Sequence, residues 1–255
     1  MNRSERGRTT LQLTTSGVAA TIGVLIVAAV CVRLGVWQLD RLEQRRDRNA
    51  ALAERLDAPP LTVGEAIADT AGLMYRRGRA DGSFDDERSI VLPGRSFQGL
   101  PGVHVLTPLR LGDGGSALLV NRGWLPAADA ATIDFDAIRT RSDTAVEGLL
   151  LAFPGRGQSL APPATVGRDS AFRRVWFAID EEVLRAQFPY PLHDVMLQLL
   201  PRADGVRAPR PLPPPSLDQG PHLGYAFQWF SFAAIAILGW LALVLKRERG
   251  TRGRD

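Results

Sequence analysis

The chain has 255 residues, of which 45% are hydrophobic and 23% are charged, a composition typical of neither disordered nor fibrous proteins. Its single cysteine, Cys31, excludes an intramolecular disulfide and a cysteine-rich metal site. The formal net charge of +4 comes from scattered arginines rather than from a basic stripe interleaved with aromatic residues, so the composition argues against nucleic acid as a partner.

An uncharged stretch near the N-terminus predicts a first membrane-spanning helix. Residues 9–32 carry no charge, and Arg33 directly after them can extend its head group to the membrane surface. A cleaved signal peptide and a lipid anchor on Cys31 are the alternatives. The apolar stretch is long for a signal peptide, and a bulky residue precedes the cysteine. We therefore predict a tail over 1–15 and an uncleaved transmembrane helix over 16–38.

A second uncharged stretch, residues 223–245, has aromatic side chains near both ends, as helices have at the two membrane surfaces. We predict a transmembrane helix over 222–245. The basic tail that follows, 246–255, is expected to stay in the cytoplasm. Since one domain joins the two helices, both termini are predicted on the cytoplasmic side. The expected location is the cell membrane of a bacterium, as a multi-pass protein.

Residues 39–221 between the two helices are predicted to form one β-rich domain outside the cytoplasm. A helical charge pattern continues over 39–56 as a stalk, which Pro59 and Pro60 end. Short runs of β-forming residues then alternate with Gly, Pro and Asp, and the turn at 112–115 predicts a hairpin. The candidate strands are 75–80, 89–92, 102–111, 117–124, 145–151, 175–179 and 193–200.

Helices and loops complete this domain. Short helices are predicted at 63–68 and at 180–188, the second with Asp180 as its N-cap. The loop 153–174 lacks periodicity. The proline-rich segment 201–221 is predicted to be extended and stiff and to return the chain to the membrane. The predicted fold class is a membrane protein of the α+β type, with two transmembrane helices flanking one β-rich extracytoplasmic domain.

Catalytic chemistry has little support in the sequence. The histidines are His104, His193 and His222, and the first two fall in predicted strands, where a lone histidine is more often structural. No HExxH, CxxC, GxSxG, phosphate-binding or dinucleotide-binding motif is present. A copper site needs Cys, Met and His together, and Cys31 lies in the predicted membrane helix. We therefore predict that the protein is not an enzyme.

One group of residues lies at the outer ends of the two predicted membrane helices. Helical spacing places part of the group on one face of each helix: Trp37, Arg41 and Arg45 on the first, and His222, Tyr225 and Trp229 on the second. An imidazole near cations and aromatic rings can ligate haem iron while arginines hold the propionates. The alternative is an interfacial belt of aromatic residues and arginines that only seats the two helices.

Three motifs, in order along the chain, carry a family resemblance. They are G-x-W-Q-x-x-R at 35–41, VNRGW at 120–124 and H-x-x-Y-A-x-Q-W at 222–229. With both helices placed accordingly, essentially the whole chain resembles the surfeit locus protein 1 family of cytochrome c oxidase assembly factors. The matching positions are Gly35, Trp37, Gln38, Arg41, Asn121, Arg122, Gly123, Trp124, His222, Tyr225, Gln228 and Trp229.

The resemblance implies a membrane-anchored factor that assists insertion or stabilisation of haem a in the largest subunit of cytochrome c oxidase. It implies haem as the bound cofactor, His222 as the iron ligand, and Arg41 or Arg45 at the propionates. The implied partners are the largest oxidase subunit and haem a synthase. The alternative is a scaffold that holds an oxidase assembly intermediate and never touches haem. For the middle motif, the structural alternatives are Arg122 as the buried partner of an acid and Trp124 as core.

Overall fold

The computed structural model describes residues 15–64, 72–112, 115–129, 131–139, 144–154, 172–201 and 208–252. The chain divides into two compact units, one comprising Met1–Ala50 with Asp218–Asp255 and the other comprising Ala51–Leu217. In chain order the elements are α1 (Thr15–Asp57), β1 (Leu61–Thr62), β2 (Arg77–Phe84), β3 (Ile90–Phe97), β4 (Leu100–Leu111), β5 (Ala117–Pro126), β6 (Thr144–Ala152), α2 (Glu181–Ala186), β7 (Leu192–Leu199) and α3 (His222–Arg252).

The first unit, called the helix pair below, contains most of α1 and all of α3. Helix α1 is continuous for 43 residues and ends at Asp57, because Pro59 and Pro60 follow and disfavour the helical conformation. The helix predicted over 39–56 is therefore confirmed as a continuation of α1. Both helices are long and apolar enough to cross a bilayer, and most of their large apolar side chains are exposed. The membrane boundaries at 16–38 and 222–245 remain predictions.

The two helices run antiparallel and approach each other at small residues. Ala28 and Cys31 of α1 form a buried cluster with Ala233 of α3. Closer to the start of α3, Gly35 faces the ring of Phe230, and a Cβ added to Gly35 would lie 2.7 Å from that ring. Small residues at a helix contact let the backbones approach closely, which is the common mode of helix association in membranes.

The second unit, called the sheet domain below, is built on one seven-stranded sheet. The strand order is β1-β2-β6-β7-β5-β4-β3, and an additional β2–β4 pairing gives β2 two antiparallel neighbours, β4 and β6. The β1–β2 and β5–β7 pairs are parallel, whereas the remaining pairs are antiparallel. The β4–β5 pairing confirms the predicted hairpin, of whose turn residues 113 and 114 lie outside the described part.

The central strand β5 is buried on both faces. Leu118 and Val120 pack in one apolar cluster, while Ala117 and Leu119 pack in another. Because alternate side chains of a strand point to opposite faces, apolar residues cover the sheet on both sides. A third cluster around Ile138 packs against β3 and β4. This double burial explains why β5 reads as a continuous apolar run rather than as an alternating one.

Most of the predicted strands are confirmed within a few residues of their ends, but the strand at 175–179 is wrong. Val175 forms only an isolated bridge with Val91, and no ladder continues from it. The next side chain, Trp176, is buried, and its indole N–H donates to the carbonyl of Arg173 at 2.9 Å. A run of β-forming residues therefore anchors a loop here instead of pairing along a strand.

Two other predicted elements differ in outcome. Strand β2 begins at Arg77 rather than at 75, since Tyr75 adopts a left-handed turn conformation with φ of 66°. The helix predicted at 180–188 is confirmed as α2, and Asp180 caps it by accepting a hydrogen bond from the Val183 amide at 3.1 Å.

Parts of three predictions lie outside the described residues. Within the helix predicted at 63–68, Val63 instead donates its backbone N–H to Arg79 at 2.8 Å beside β2, and 65–68 are not described. The same holds for residues 155–171 of the predicted loop and for 202–207 of the proline-rich segment. Residues 208–221 of that segment contain no helix or strand, apart from the single bridge to β5 described below.

Candidate functional site

In the helix pair, His222 is held by a residue of the first sequence motif. Its Nδ1 lies 3.0 Å from Oε1 of Gln38, although 184 positions separate the two residues. A carboxamide oxygen only accepts hydrogen bonds, so with this partner Nδ1 carries the proton and Nε2 keeps its lone pair. Histidines that bind metals are commonly oriented in this way, through the nitrogen that does not bind. The contact therefore leaves Nε2 as a candidate ligand.

The segment before His222 is tied to α1 by polar contacts. Arg45 donates to the carbonyl of Asp218 at 3.1 Å and lies 3.7 Å from its carboxylate, and Asn49 donates to the same carbonyl at 2.9 Å. Gly220, with φ of 68°, follows in a left-handed conformation. A Cβ added to Gly220 would lie 3.4 Å from Nε2 of His222, so the absent side chain leaves the ligating edge of the ring uncovered.

Other predicted residues of the helix pair lie apart from His222. Trp37 is 42% exposed and has the Arg41 guanidinium over its ring at 5.5 Å, and Arg41 also donates to Gln44 at 3.1 Å. Tyr225 is 48% exposed, and its place on the buried stripe of α3 is taken by Ala226. The structure thus joins His222 to Gln38 but records no contact of His222 with Trp37, Arg41 or Tyr225 among the described residues.

The remaining predicted positions of α3 differ in their surroundings. Trp229 is half-buried, packs against the cluster of Ala28, Cys31 and Ala233, and meets Phe232 edge-on at 5.9 Å. Gln228 is exposed. One face of α3 therefore packs on α1 while the adjacent motif residues point outward.

In the sheet domain, the VNRGW motif fastens the returning chain to β5. Gly123 has φ of 117°, and a Cβ at this position would overlap the backbone of Arg210 and Pro211. The amide of Gly123 donates to Oδ1 of buried Asn121 at 3.0 Å. Because no side chain intervenes, Trp124 exchanges two backbone hydrogen bonds of 2.7 Å with Arg210. The motif glycine therefore provides the close approach on which this bridge depends.

Arg122 is almost completely buried and forms an ion pair. Its guanidinium donates to Asp86 at 2.8 Å and lies 5.0 Å from the centre of the Phe84 ring. Burial lowers the pKa of Arg122, and the charge and hydrogen bond of Asp86 oppose that shift. This geometry matches the structural alternative for Arg122, a buried cation that holds an acid. Removal of one partner from such a pair leaves an uncompensated charge.

Trp124 packs inside the sheet domain. Its ring lies 5.6 Å from that of Phe97, over which the Arg210 guanidinium stacks at 4.5 Å. The ring also fills the space beside Gly102, where an added Cβ would lie 2.5 Å from the indole nitrogen. The middle motif therefore builds a structural junction between β5, the β3–β4 hairpin and the returning chain.

The two other histidines lie in the sheet domain. Burial, and then the charge of Arg95, lower the pKa of His104 to about 4, so the ring is neutral at physiological pH. Nε2 of His193 lies 3.0 Å from the Ser116 hydroxyl. Each contact accounts for its histidine as a structural residue.

Several residues that position the site were not singled out from the sequence. Asp218 and Gly220 orient the start of α3, while Asp86 and Arg210 complete the VNRGW junction. Their contacts span from 36 to 173 positions of sequence, so no local periodicity could reveal them. Gln38 was a motif residue, but nothing in the motif indicated His222 as its partner.

Comparison with known proteins places the chain among relatives of one description. The family model for the SURF1 family matches residues 25–234. A SURF1-like protein of Monosiga brevicollis is 28% identical over 242 residues, which cover 90% of this chain and 88% of the relative. A SURF1-like protein of Rickettsia bellii is 26% identical, with 91% and 92% covered. Surfeit locus protein 1 of Takifugu rubripes is 30% identical over 118 residues, 40% of this chain and 49% of the relative.

Proposed function

The chain belongs to the SURF1 family, and on that premise we propose that it is a membrane-anchored assembly factor for haem–copper cytochrome c oxidase. Its proposed task is to assist insertion or stabilisation of haem a in the largest oxidase subunit, by holding haem transiently. The largest subunit is the proposed receiving partner, and haem a synthase is the proposed donor. The proposed role is that of an assembly factor rather than of an enzyme.

The helix pair supports the proposed membrane anchorage. Two helices pass the length and composition test for a span, and their outward aliphatic side chains have no protein cover in this chain. A bilayer would cover these side chains, whereas water would expose an apolar surface far larger than soluble proteins tolerate. The basic residues after 245 favour a cytoplasmic C-terminus, and antiparallel packing of α1 on α3 then puts the N-terminus on the same side. The proposed location is the cell membrane.

The observation that carries the haem proposal is the hydrogen bond between His222 and Gln38. It joins the first and third motifs, fixes the tautomer of the imidazole, and leaves Nε2 for a ligand beside Gly220. Arg45 lies nearby through its contact with Asp218, and Arg41 lies one helical turn before it. These groups fit haem, whose iron accepts an axial imidazole and whose propionates are anions. A single axial histidine suits transient holding.

The test is the absorption spectrum of full-length protein, purified in detergent from cells that synthesise haem a. We expect a Soret band in the wild type, its loss in His222→Ala, and a reduced and shifted band in Gln38→Leu, which removes the partner of Nδ1. The matched control is His193→Ala, which deletes a hydrogen-bonded histidine of the sheet domain and should retain the band. Full haem occupancy in His222→Ala would contradict the ligand assignment.

The scaffold alternative gives a different result in the same preparations. A scaffold predicts no Soret band in any variant, with the largest oxidase subunit still co-purifying with the wild type. Co-purification should then survive His222→Ala, because the histidine would serve only its contact with Gln38. Loss of both the band and the subunit in His222→Ala, with normal folding, would instead link haem to the partner interaction.

A further inference from the structure

One face of α1 carries a cation that the helix pair leaves without a partner. Arg33 lies between Cys31 and Gly35, which both face α3, and a rotation of about 200° from either one turns its side chain to the opposite surface. Arg33 is exposed. Within the described part of the chain, it makes no hydrogen bond or ion pair.

Contacts between the helices give the level of Arg33 along the helix pair. Gly35 is level with Phe230 and Cys31 with Ala233, so Arg33 lies between these two contacts. It also precedes Gln38, the partner of His222, by five residues, or about 7.5 Å along the helix axis. At that level α3 carries no charge for its first two dozen residues. Arg33 therefore stands beside the uncharged part of α3, below its outer end.

The surroundings of Arg33 are those of a lipid-facing surface with an interfacial end. Val30 and Val36 flank it and are exposed. Towards the outer end, Trp37 and Arg41 continue the same face at positions i+4 and i+8, with the Arg41 guanidinium over the Trp37 ring at 5.5 Å. Aliphatic residues, then a cation, an indole and a second cation follow one another along this face.

We propose that this face, defined by Arg33, Trp37 and Arg41, binds an anionic phospholipid, with the lipid phosphate between the two guanidinium groups and an acyl chain along Val30 and Val36. An unpaired arginine in an apolar setting is costly, and extending its long side chain to a phosphate removes that cost. Guanidinium forms paired hydrogen bonds with phosphate, and tryptophan favours the interfacial level. The inference rests on the membrane anchorage proposed above but not on haem binding.

The experiment is native mass spectrometry of the full-length protein in detergent, with equimolar phosphatidylglycerol and phosphatidylcholine. We expect the wild type to retain phosphatidylglycerol about fivefold more strongly, the effect of one basic residue at an anionic surface. Arg33→Gln should bring the ratio close to one, while Arg33→Lys should keep part of it. The matched control is Arg55→Gln, which removes one exposed arginine from the last turn of α1 and should leave the ratio unchanged.

The remaining arms separate other origins of the effect. Inorganic phosphate at equal concentration should not displace the lipid, and displacement would overturn the lipid as ligand. An equal preference in the wild type and Arg33→Gln would overturn the site. So would Arg33→Gln that loses only the co-purifying oxidase subunit, since Arg33 would then serve a protein carboxylate. Release of the wild type from membranes by alkaline carbonate would overturn the anchorage itself, whereas a retained chain without lipid preference would overturn this site alone.

Discussion

The helix pair and the sheet domain bury their apolar residues in opposite ways. In the sheet domain, β5 is covered on both faces, and apolar side chains fill clusters between strands and loops. In the helix pair, the buried positions are small residues such as Ala28 and Gly35, while the large aliphatic side chains point outward. The contrast is expected if the two units fold in different solvents, because association in lipid depends on close packing rather than on the removal of apolar surface from water.

Glycine shows this difference at two motif positions. Gly123 of the sheet domain lies against backbone that the sheet holds in place, and its φ is positive. Gly35 of the helix pair lies against the far end of one aromatic side chain, in an ordinary helical conformation. A rigid neighbour cannot yield to an added methyl group, whereas a terminal ring can rotate. Substitutions at these two positions therefore test the comparison directly.

The largest effect is expected from Gly123→Ala. The new Cβ would overlap the Arg210 backbone and would occupy a left-handed conformation, so we expect the sheet domain to lose at least about 3 kcal/mol of its free energy of unfolding. Chemical denaturation of the full-length protein in mild detergent measures the loss. The control is Gly94→Ala, where φ is also positive but no atom lies within 4 Å, and the loss should be about 1 kcal/mol. Equal losses would show that the bridge to Arg210 contributes nothing.

An intermediate effect is expected from His104 as the pH is lowered. The folded state holds the pKa of His104 at about 4, below the ordinary value of 6.5, so the unfolded chain binds the proton first. The corresponding stability is fully present above pH 6.5 and is lost as the pH falls towards 4. We expect a loss on the order of 2 kcal/mol, allowing for the partly exposed ring.

The measurement for His104 is the midpoint of denaturation between pH 7 and pH 4.5, for the wild type and for His104→Gln. The difference between the two proteins isolates this residue from the carboxylates that titrate in the same range. The wild type should lose stability more steeply, and parallel curves would show that His104 titrates normally in the folded protein.

The smallest effect is expected from Gly35→Ala. The methyl group would lie 2.7 Å from the Phe230 ring, which must shift, but alanine also raises the helix propensity by about 1 kcal/mol. We expect the two terms to offset to within about 1 kcal/mol, measured by unfolding of the helix pair in a sodium dodecyl sulfate titration. Gly23→Ala, with no atom within 4 Å of the added Cβ, provides the propensity term alone. A Gly35→Ala loss as large as that of Gly123→Ala would refute the comparison.

Much of the architecture could be predicted from local pattern. The length of the helical pattern through 39–56, the cap at Asp180 and the strands around the β4–β5 hairpin are confirmed because each depends on residues close in sequence. The strand predicted at 175–179 failed because β propensity does not create a pairing partner, and Trp176 found a place in the core instead.

The candidate site divides along the same line. Motif residues such as His222 and Gly123 stood out in the sequence through their resemblance to a family. Their partners did not, since Gln38, Asp86 and Arg210 lie far away along the chain. A side chain's residue type shows what it can bond, but only the packing of distant segments shows what it does bond.

By itself, then, the sequence determined the two apolar helices, the sheet-rich domain between them and the family to which its motifs point, because hydrophobic period, charge and turn chemistry are local properties. Tertiary structure alone decided that His222 presents Nε2 with Gln38 behind it, that Arg122 is buried against Asp86, and that Arg33 faces away from α3. The physical reason is that each of these outcomes depends on which surfaces exclude solvent from one another, and the chain acquires that information only when its segments pack.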